Sequence, residues 1–175
     1  GFTPLLWACR YKHAACVELL LRAKAALELI PPSGKTALLV ACQVGSHECT
    51  QALLRAKAAV DASSAKGFTA LMLACARGHH MCAEELLCAK ASPHASESHG
   101  WTALIIAASE TTSHSGHVLC IDMLVRAGAR LTDRTSTGLT ALARAALSNA
   151  PGSPKESASA TSAESAATSP TRSQA

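Results

Sequence analysis

The stretch Gly67-Phe68-Thr69-Ala70-Leu71 opens a phrase that occurs five times in this 175-residue chain. Four copies follow one another at intervals of 33 residues, and the fifth comes after a longer interval of 38 residues. The copies begin at Gly1, Gly34, Gly67, Gly100 and Gly138. A fixed period of this length is the signature of a repeat protein, in which each unit stacks on its neighbours.

Each copy of the phrase predicts the start of a helix. Pro4, or Ala in the other copies, stands at the first helical position, where the N–H group has no helical partner. Leu5, Trp7 and Ala8, with their equivalents, follow as an apolar stripe at helical spacing. The residue before each start can cap the helix with its hydroxyl: Thr3, Thr36, Thr69, Thr102 and Thr140.

A second helix is predicted later in each unit. In the second copy it covers residues 48–56 and carries Cys49, Leu53 and Leu54 on its inward face. No single unit can bury both of its apolar faces, so the units must stack to form a core. With 3% aromatic residues and abundant Ala, Leu and Cys, the composition also favours small, closely packed helices.

This 33-residue period resembles the ankyrin repeat, on the strength of Thr3-Pro4-Leu5, the Gly78-His79 turn and the Leu53-Leu54 pair. The resemblance covers about residues 1–147. It implies an all-α ankyrin-repeat solenoid of helix-turn-helix units joined by hairpin-like loops, with four repeats and a terminal half-repeat.

The chain departs from the ankyrin pattern at three places. The family's His after Thr-Pro-Leu is replaced by Leu6, Leu39, Met72, Ile105 and Ala143, which should pack as apolar groups. The Gly that usually ends the second helix is Lys24, Lys57 and Lys90, and these need a left-handed backbone at a cost of about 1 kcal/mol each. An insertion within residues 109–115 lengthens the loop of the fourth repeat before Gly116-His117 restores the register. That loop is either a partner contact or a tolerated bulge.

Residues 148–175 form a tail rich in Ser, Ala and Pro, without Leu, Ile, Val, Met or aromatic residues. Such a segment buries too little apolar surface to offset its ordering entropy, so we expect disorder. Ser153-Pro154 and Ser169-Pro170 are either sites of proline-directed phosphorylation or parts of an unmodified linker, and the linker is favoured.

Charge and hydropathy limit the classes of partner. A net charge of +4 without a focused basic patch does not predict nucleic-acid binding. The longest apolar run, residues 70–76, is far shorter than the roughly 20 residues that span a bilayer. Because Gly1 lies mid-pattern, we expect the sequence to be a fragment. Abundant unpaired Cys is typical of a reducing, intracellular compartment, and we expect the cytoplasm. We also expect the protein to be a monomer.

A zinc site was considered because the chain has eight Cys and eight His. Most of the Cys recur at two repeat positions, which are predicted to face inward as small apolar residues: Cys9, Cys42 and Cys75, and Cys16, Cys49, Cys82 and Cys120. One tight cluster remains, formed by Cys75, His79, His80 and Cys82, and a structural role is favoured for it. No nucleophile, base and orienting group lie outside the repeat pattern, so we expect neither an enzyme nor a bound metal or cofactor.

In the family that the chain resembles, the residue after each opening Gly lies on a hairpin near the concave surface. The two residues before the Gly-His turn play a similar role there. These positions, with two neighbouring hairpin-tip residues, form the predicted partner site: Phe2, Arg10, Tyr11, Lys35, Gln43, Val44, Lys66, Phe68, Arg77, His99 and Trp101. Aromatic residues and Arg are the usual anchors of interfaces, although the rings could instead pack against neighbouring hairpins.

The sequence therefore predicts a scaffold that binds another protein through its concave face and hairpin tips. The alternative is a recognition arm of a larger enzyme or signalling protein. A basic ridge of Lys24, Lys57 and Lys90 could attract an anionic partner, but helix-end electrostatics explains these residues as well.

Overall fold

The computed structural model describes residues 3–29, 34–110 and 115–148. Phe2, most of the insertion and the tail from residue 149 onward lie outside these ranges. The described ranges contain nine helices: α1 (Pro4–Arg10), α2 (Ala14–Arg22), α3 (Ala37–Val44), α4 (His47–Arg55), α5 (Ala70–Ala76), α6 (His80–Cys88), α7 (Ala103–Ser109), α8 (Ser115–Arg126) and α9 (Ala141–Ser148).

The helices form antiparallel pairs that stack in two rows. The first helix of each repeat packs beside the first helix of the next, and the second helices form a parallel row behind them. Among the described residues, two of the hairpins between repeats contain an isolated bridge, Ser63 to Thr69 and Ser96 to Thr102. The predicted all-α repeat fold is confirmed. No helix in the described ranges is both long and apolar enough to cross a membrane.

The predicted threonine caps are present at the starts of the first helices. Thr36 accepts a hydrogen bond from the N–H of Leu39 through its hydroxyl oxygen, at 3.4 Å. The same bond recurs in every repeat, at Thr3, Thr69, Thr102 and Thr140. Each cap satisfies one of the free amides at a helix start, which explains why these helices begin where the repeated phrase does.

The residues that replace the family's His lie in the core. Leu6, Leu39, Met72 and Ile105 are all buried between the two helix rows. Their apolar side chains gain the packing that the sequence predicted.

The helix-ending lysines adopt the predicted left-handed backbone. The φ angles of Lys24, Lys57 and Lys90 are 58°, 64° and 65°. Lys12, at φ 60°, is a fourth such residue that the sequence analysis missed. It stands where the second and third repeats carry Gly45 and Gly78.

Two predicted core residues are exposed at the first repeat, so the prediction that they face inward is wrong for this unit. Trp7 is 40% exposed and Cys16 is exposed as well. Their equivalents in the second repeat, Val40 and Cys49, are buried. The difference arises because no described unit packs in front of the first repeat.

The insertion also changes the fourth repeat in a way the sequence did not predict. Gly116 lies inside α8, which has 12 residues where α4 and α6 have nine. The expected Gly116-His117 turn therefore does not form, because α8 starts at Ser115 and both residues lie within it. A Cβ atom on Gly116 would collide with the carbonyl oxygen of Gly78, so glycine is needed there.

Candidate protein-interaction surface

Three hairpins are held by a polar side chain that stands three residues before Gly67, Gly100 or Gly138. The Ser64 N–H donates a hydrogen bond to the Phe68 carbonyl oxygen at 2.9 Å, and the Ser64 Oγ accepts one from the Phe68 N–H at 3.2 Å. Glu97 and Thr135 make the equivalent side-chain bonds in the next two hairpins. The role of this position was not predicted from the sequence, although a polar residue recurs there before Gly67, Gly100 and Gly138.

Glu97 holds the second of these hairpins with a carboxylate side chain. Its carboxylate is buried and accepts hydrogen bonds from the N–H of His99 at 2.7 Å and the N–H of Trp101 at 3.2 Å. The hydroxyl of Ser98 donates a third bond at 3.0 Å. Burial by itself would raise the pKa of Glu97, but the hydrogen bonds that stabilise the carboxylate outweigh it and lower the pKa.

The hairpin tips present charged and polar side chains to solvent. Lys66 is exposed, and the His99 side chain is 73% exposed. The Nδ1 atom of His99 lies 3.0 Å from a Glu97 carboxylate oxygen. The carbonyl of His99 accepts a hydrogen bond from the N–H of Ser136 in the next hairpin, so neighbouring tips are linked through the backbone. These tips therefore have a defined position relative to the helices.

The residues that follow each opening Gly are less accessible than the sequence suggested. Phe68 and Lys35 are each only 6% exposed, so the Phe68 ring packs against the stack and does not project from it. Trp101 is half-buried, and the guanidinium carbon of Arg144 lies 5.2 Å from its ring centroid. For Phe68 and Lys35 the alternative of packing against neighbouring elements describes the structure better than an exposed anchor.

The residues at the ends of the first helices remain accessible. Tyr11 is 57% exposed and Arg77 is exposed, whereas Arg10 and Val44 are half-buried. Tyr11, Val44 and Arg77 share one repeat position, at the C-terminal ends of α1, α3 and α5, and these helices lie side by side. The ends of these helices therefore form a continuous row beside the hairpins.

Two predicted site residues contact each other in the second repeat. The Lys35 Nζ atom donates a hydrogen bond to the Gln43 side-chain oxygen at 2.9 Å. This bond joins Lys35, which lies just before α3, to the C-terminal end of α3. Lys35 therefore helps to fix the position of Gln43 on the predicted surface.

Buried cysteines of neighbouring repeats lie close together. Comparing equivalent repeat positions in the sequence did not predict this proximity. Cys9 in α1 and Cys49 in α4 interact, and their interaction raises the pKa of Cys9 and lowers that of Cys49. In the next pair, the Thr50 hydroxyl lies 3.6 Å from Cys42 Sγ and 3.7 Å from Cys82 Sγ. Burial raises the pKa values of Cys42 and Cys82, which keeps these thiols protonated. Within the described ranges, no group of three or more His, Cys, Asp or Glu side chains could hold a metal ion.

Comparison with known families agrees with this architecture. A family model described as "Ankyrin repeats (3 copies)" matches residues 1–64 and 43–135, which is more than half of the chain. The chain therefore belongs to the ankyrin-repeat family. Ankyrin repeats are generally protein–protein interaction modules, and the proteins that carry them are typically non-enzymatic scaffolds. No curated protein matches the chain at a significant level.

Proposed function

We propose that the chain is a non-enzymatic scaffold that binds a partner protein through the row of helix ends and the adjoining hairpin tips. The observation that carries the proposal is the accessible Tyr11 and Arg77 on stacked first helices. Aromatic and Arg side chains are the residue types that most often anchor interfaces. Loops held by a rigid scaffold are the usual location of such contacts.

The chemistry of this surface favours a partner segment with acidic side chains. Lys66 and Arg77 are exposed, and Arg10 lies half-buried at the end of α1. Tyr11 in the first repeat and the half-buried Trp101 in the fourth provide apolar area on either side of Lys66 and Arg77 along the stack. Charges of this kind steer association, whereas the aromatic rings supply most of the contact energy. In this proposal the protein acts as a cytoplasmic monomer and uses no cofactor or nucleic acid.

The test compares two double variants with the same change of charge. Lys66→Glu/Arg77→Glu alters the proposed surface, and Lys57→Glu/Lys90→Glu alters the basic ridge at the ends of the second helices. All four side chains are exposed, so both variants should retain the helical circular dichroism of the unaltered chain. Affinity capture read by mass spectrometry identifies a partner, and titration with that purified partner then gives each Kd.

We expect Lys66→Glu/Arg77→Glu to weaken binding more than about tenfold, because like charges then face the partner's acidic groups. Lys57→Glu/Lys90→Glu should leave the Kd within about twofold. Loss of binding in the ridge variant alone would instead place the partner on the second-helix side and refute the proposal.

A further inference from the structure

Six buried cysteines occupy two positions of the repeat, one on the first helix and one on the second. All six side chains are at most 1% exposed. Each first-helix cysteine interacts electrostatically with the second-helix cysteine of the following repeat. They form two outer pairs, Cys9 with Cys49 and Cys75 with Cys120, and one middle pair, Cys42 with Cys82. Each pair therefore lies at a junction between two neighbouring repeats.

A hydroxyl bridges the two thiols of the middle pair. The Thr50 Oγ1 atom lies 3.6 Å from Cys42 Sγ and 3.7 Å from Cys82 Sγ. Thr50 is itself 0% exposed, so this polar contact is inside the core. Burial raises the pKa of both thiols, which keeps them protonated. The hydroxyl thus provides each thiol of the middle pair with a polar neighbour other than its partner.

The outer pairs have no hydroxyl at the corresponding place. The residues equivalent to Thr50 in the first and third repeats are Val17 and Ala83, and both are 0% exposed. The two thiols of each outer pair interact directly with each other. The helices that carry Cys75 and Cys120, α5 and α8, are in contact. The residue at the Thr50 position therefore distinguishes the outer pairs from the middle pair.

The two thiols of an outer pair differ in acidity. Interaction with Cys9 lowers the pKa of Cys49, although burial opposes the shift. Interaction with Cys75 lowers the pKa of Cys120 in the same way. The pKa values of Cys9 and Cys75 are raised by the same interactions and by burial. Because the thiolate is the nucleophilic form of cysteine, the second-helix cysteine of each outer pair is the more reactive one.

We propose that the two outer pairs are dithiol sites that hydrogen peroxide oxidises to disulfides, each of which joins two neighbouring repeats. In the first step the second-helix thiolate attacks one peroxide oxygen, the O–O bond breaks, and a sulfenic acid forms. The leaving hydroxide takes up the proton that the thiol lost. In the second step the first-helix sulfur attacks the sulfenic sulfur, the S–S bond forms, and the S–O bond breaks. A second water leaves with the proton of the first-helix thiol, and two electrons have passed from the two thiols to the peroxide.

The burial of these sulfur atoms determines how the reaction proceeds. Peroxide reaches them when neighbouring repeats open locally, and closing of the stack then returns the partner thiol to the sulfenic acid. The disulfides join residues 40 and 45 positions apart in the sequence. Such links stabilise the folded state by restricting the unfolded chain. Peroxide would thus hold the repeats together, and a thiol reductant would reverse the change by disulfide exchange.

The test maps the disulfides of the folded chain after exposure to hydrogen peroxide. Cys16→Ser and Cys88→Ser remove the exposed thiols, so that links between molecules do not form. After the remaining thiols are blocked, the chain is digested with trypsin and a Glu-specific protease. Cleavage after Glu48 separates Cys42 from Cys49, which share one tryptic peptide. Mass spectrometry then identifies each linked pair, and the same treatment in concentrated urea gives the pattern of the unfolded chain.

We expect the links of the two outer pairs to be about tenfold or more as abundant in the folded chain as the link of the middle pair. In urea the pattern should change, because unfolded chains close short loops most readily. Cys42–Cys49 and Cys75–Cys82 should then dominate, since the residues of each are seven positions apart. The urea midpoint of the oxidised chain should rise and should return to its original value after reduction.

Two reciprocal variants test the residue at the Thr50 position. Thr50→Val removes the bridging hydroxyl while nearly keeping the shape, and it should raise the yield of the middle-pair link about fivefold or more. Val17→Thr places a hydroxyl at the junction of the first and second repeats. It should lower the yield of the Cys9–Cys49 link by a similar factor and leave the other outer pair as an internal reference. Circular dichroism checks that both variants remain helical, and Thr50→Val decides the test if Val17→Thr does not.

Three results would overturn the proposal. The first is a folded chain whose links are mainly those between cysteines seven positions apart, which would mean that only unfolded molecules are oxidised. The second is conversion of the buried thiols to sulfinic acids without any link between repeats. The third is an equal yield of all three pairs that Thr50→Val does not change, since the hydroxyl would then have no part in the selection.

Discussion

The imidazole of His79 packs directly over Gly45 of the preceding repeat. A Cβ atom built on Gly45 would lie only 2.5 Å from Nδ1 of His79, and Gly45 has a left-handed φ of 71°. His117 occupies the corresponding place over Gly78. Each Gly-containing turn is thus packed against a His from the next repeat, so the turns are part of the stacking interface.

Gly45→Ala should destabilise the fold more than Gly128→Ala does. Both glycines have left-handed backbones, but nothing lies within 4 Å of a Cβ built on Gly128. Gly128→Ala should therefore cost about 1 kcal/mol of unfolding free energy. Gly45→Ala should cost roughly 1–3 kcal/mol more, because the His79 ring must move. Urea denaturation measures both, and equal losses would show that the ring yields without cost.

Stability should fall as the pH drops below about 6.5, partly because of His79. Burial lowers the pKa of this imidazole, and the charge of Lys12 lowers it further, while a hydrogen bond with the Gln43 backbone acts in the opposite direction. The unfolded chain therefore binds a proton more readily than the fold, and protonation favours unfolding. Denaturation of the native chain and of His79→Gln between about pH 5 and pH 7.5 should show a shallower slope for the variant. Parallel curves would contradict this assignment.

Glu97→Ala should destabilise the fourth repeat by about 1–3 kcal/mol, because the backbone amides of His99 and Trp101 lose their acceptor. Since the pKa of Glu97 is lowered, its contribution is present above about pH 4.3 and is lost as the pH falls through the lower folded value. Glu97→Ser is the matched variant, because Ser64 performs the same backbone role in the preceding hairpin. Glu97→Ser should lose less stability than Glu97→Ala. Its stability should also depend less on acidic pH than that of the native chain. If the native chain and Glu97→Ser lose stability over the same range of acidic pH, the proposed role of the carboxylate is refuted.

Phe68→Ala and Tyr11→Ala should separate packing from recognition. Phe68 is 6% exposed, so its truncation should cost about 3–5 kcal/mol of stability. Tyr11 is 57% exposed, and Tyr11→Ala should cost less than about 1 kcal/mol. Chemical denaturation of both variants provides the comparison. Similar losses would mean that the Tyr11 ring is a structural part of the first repeat.

Lys57→Gly should raise the free energy of unfolding by about 0.5–1 kcal/mol. Glycine adopts the φ of 64° without the steric strain that the Cβ atom of lysine causes there. Lys66→Gly is the matched control, an exposed lysine outside the set of left-handed residues. That change should give no gain. Thermal and urea unfolding of Lys57→Gly and Lys66→Gly measure the two changes in stability. If both variants are more stable than the native chain, the cause is the removal of positive charge and not the backbone conformation.

The hairpin clamps show where the sequence analysis stopped short. Ser64, Glu97 and Thr135 differ in chemistry, so the comparison of identical residues passed over them, although all three accept the same backbone bond. The pairing of Cys9 with Cys49 was missed for another reason. These residues occupy different positions of the period, and they come together through the stacking of the first repeat on the second.

The sequence by itself determined the period, the threonine caps, the left-handed lysines and the inward positions of the internal repeats. These features depend on interactions within one unit, such as a hydroxyl three residues from an amide, and every copy repeats them. Only the tertiary structure decided which of the predicted site residues reach solvent. Phe68 and Lys35 are covered, while Tyr11, Trp7 and Cys16 are open. The exposure of a residue depends on the neighbouring unit. The same repeat position is buried where another repeat packs against it and exposed where none does.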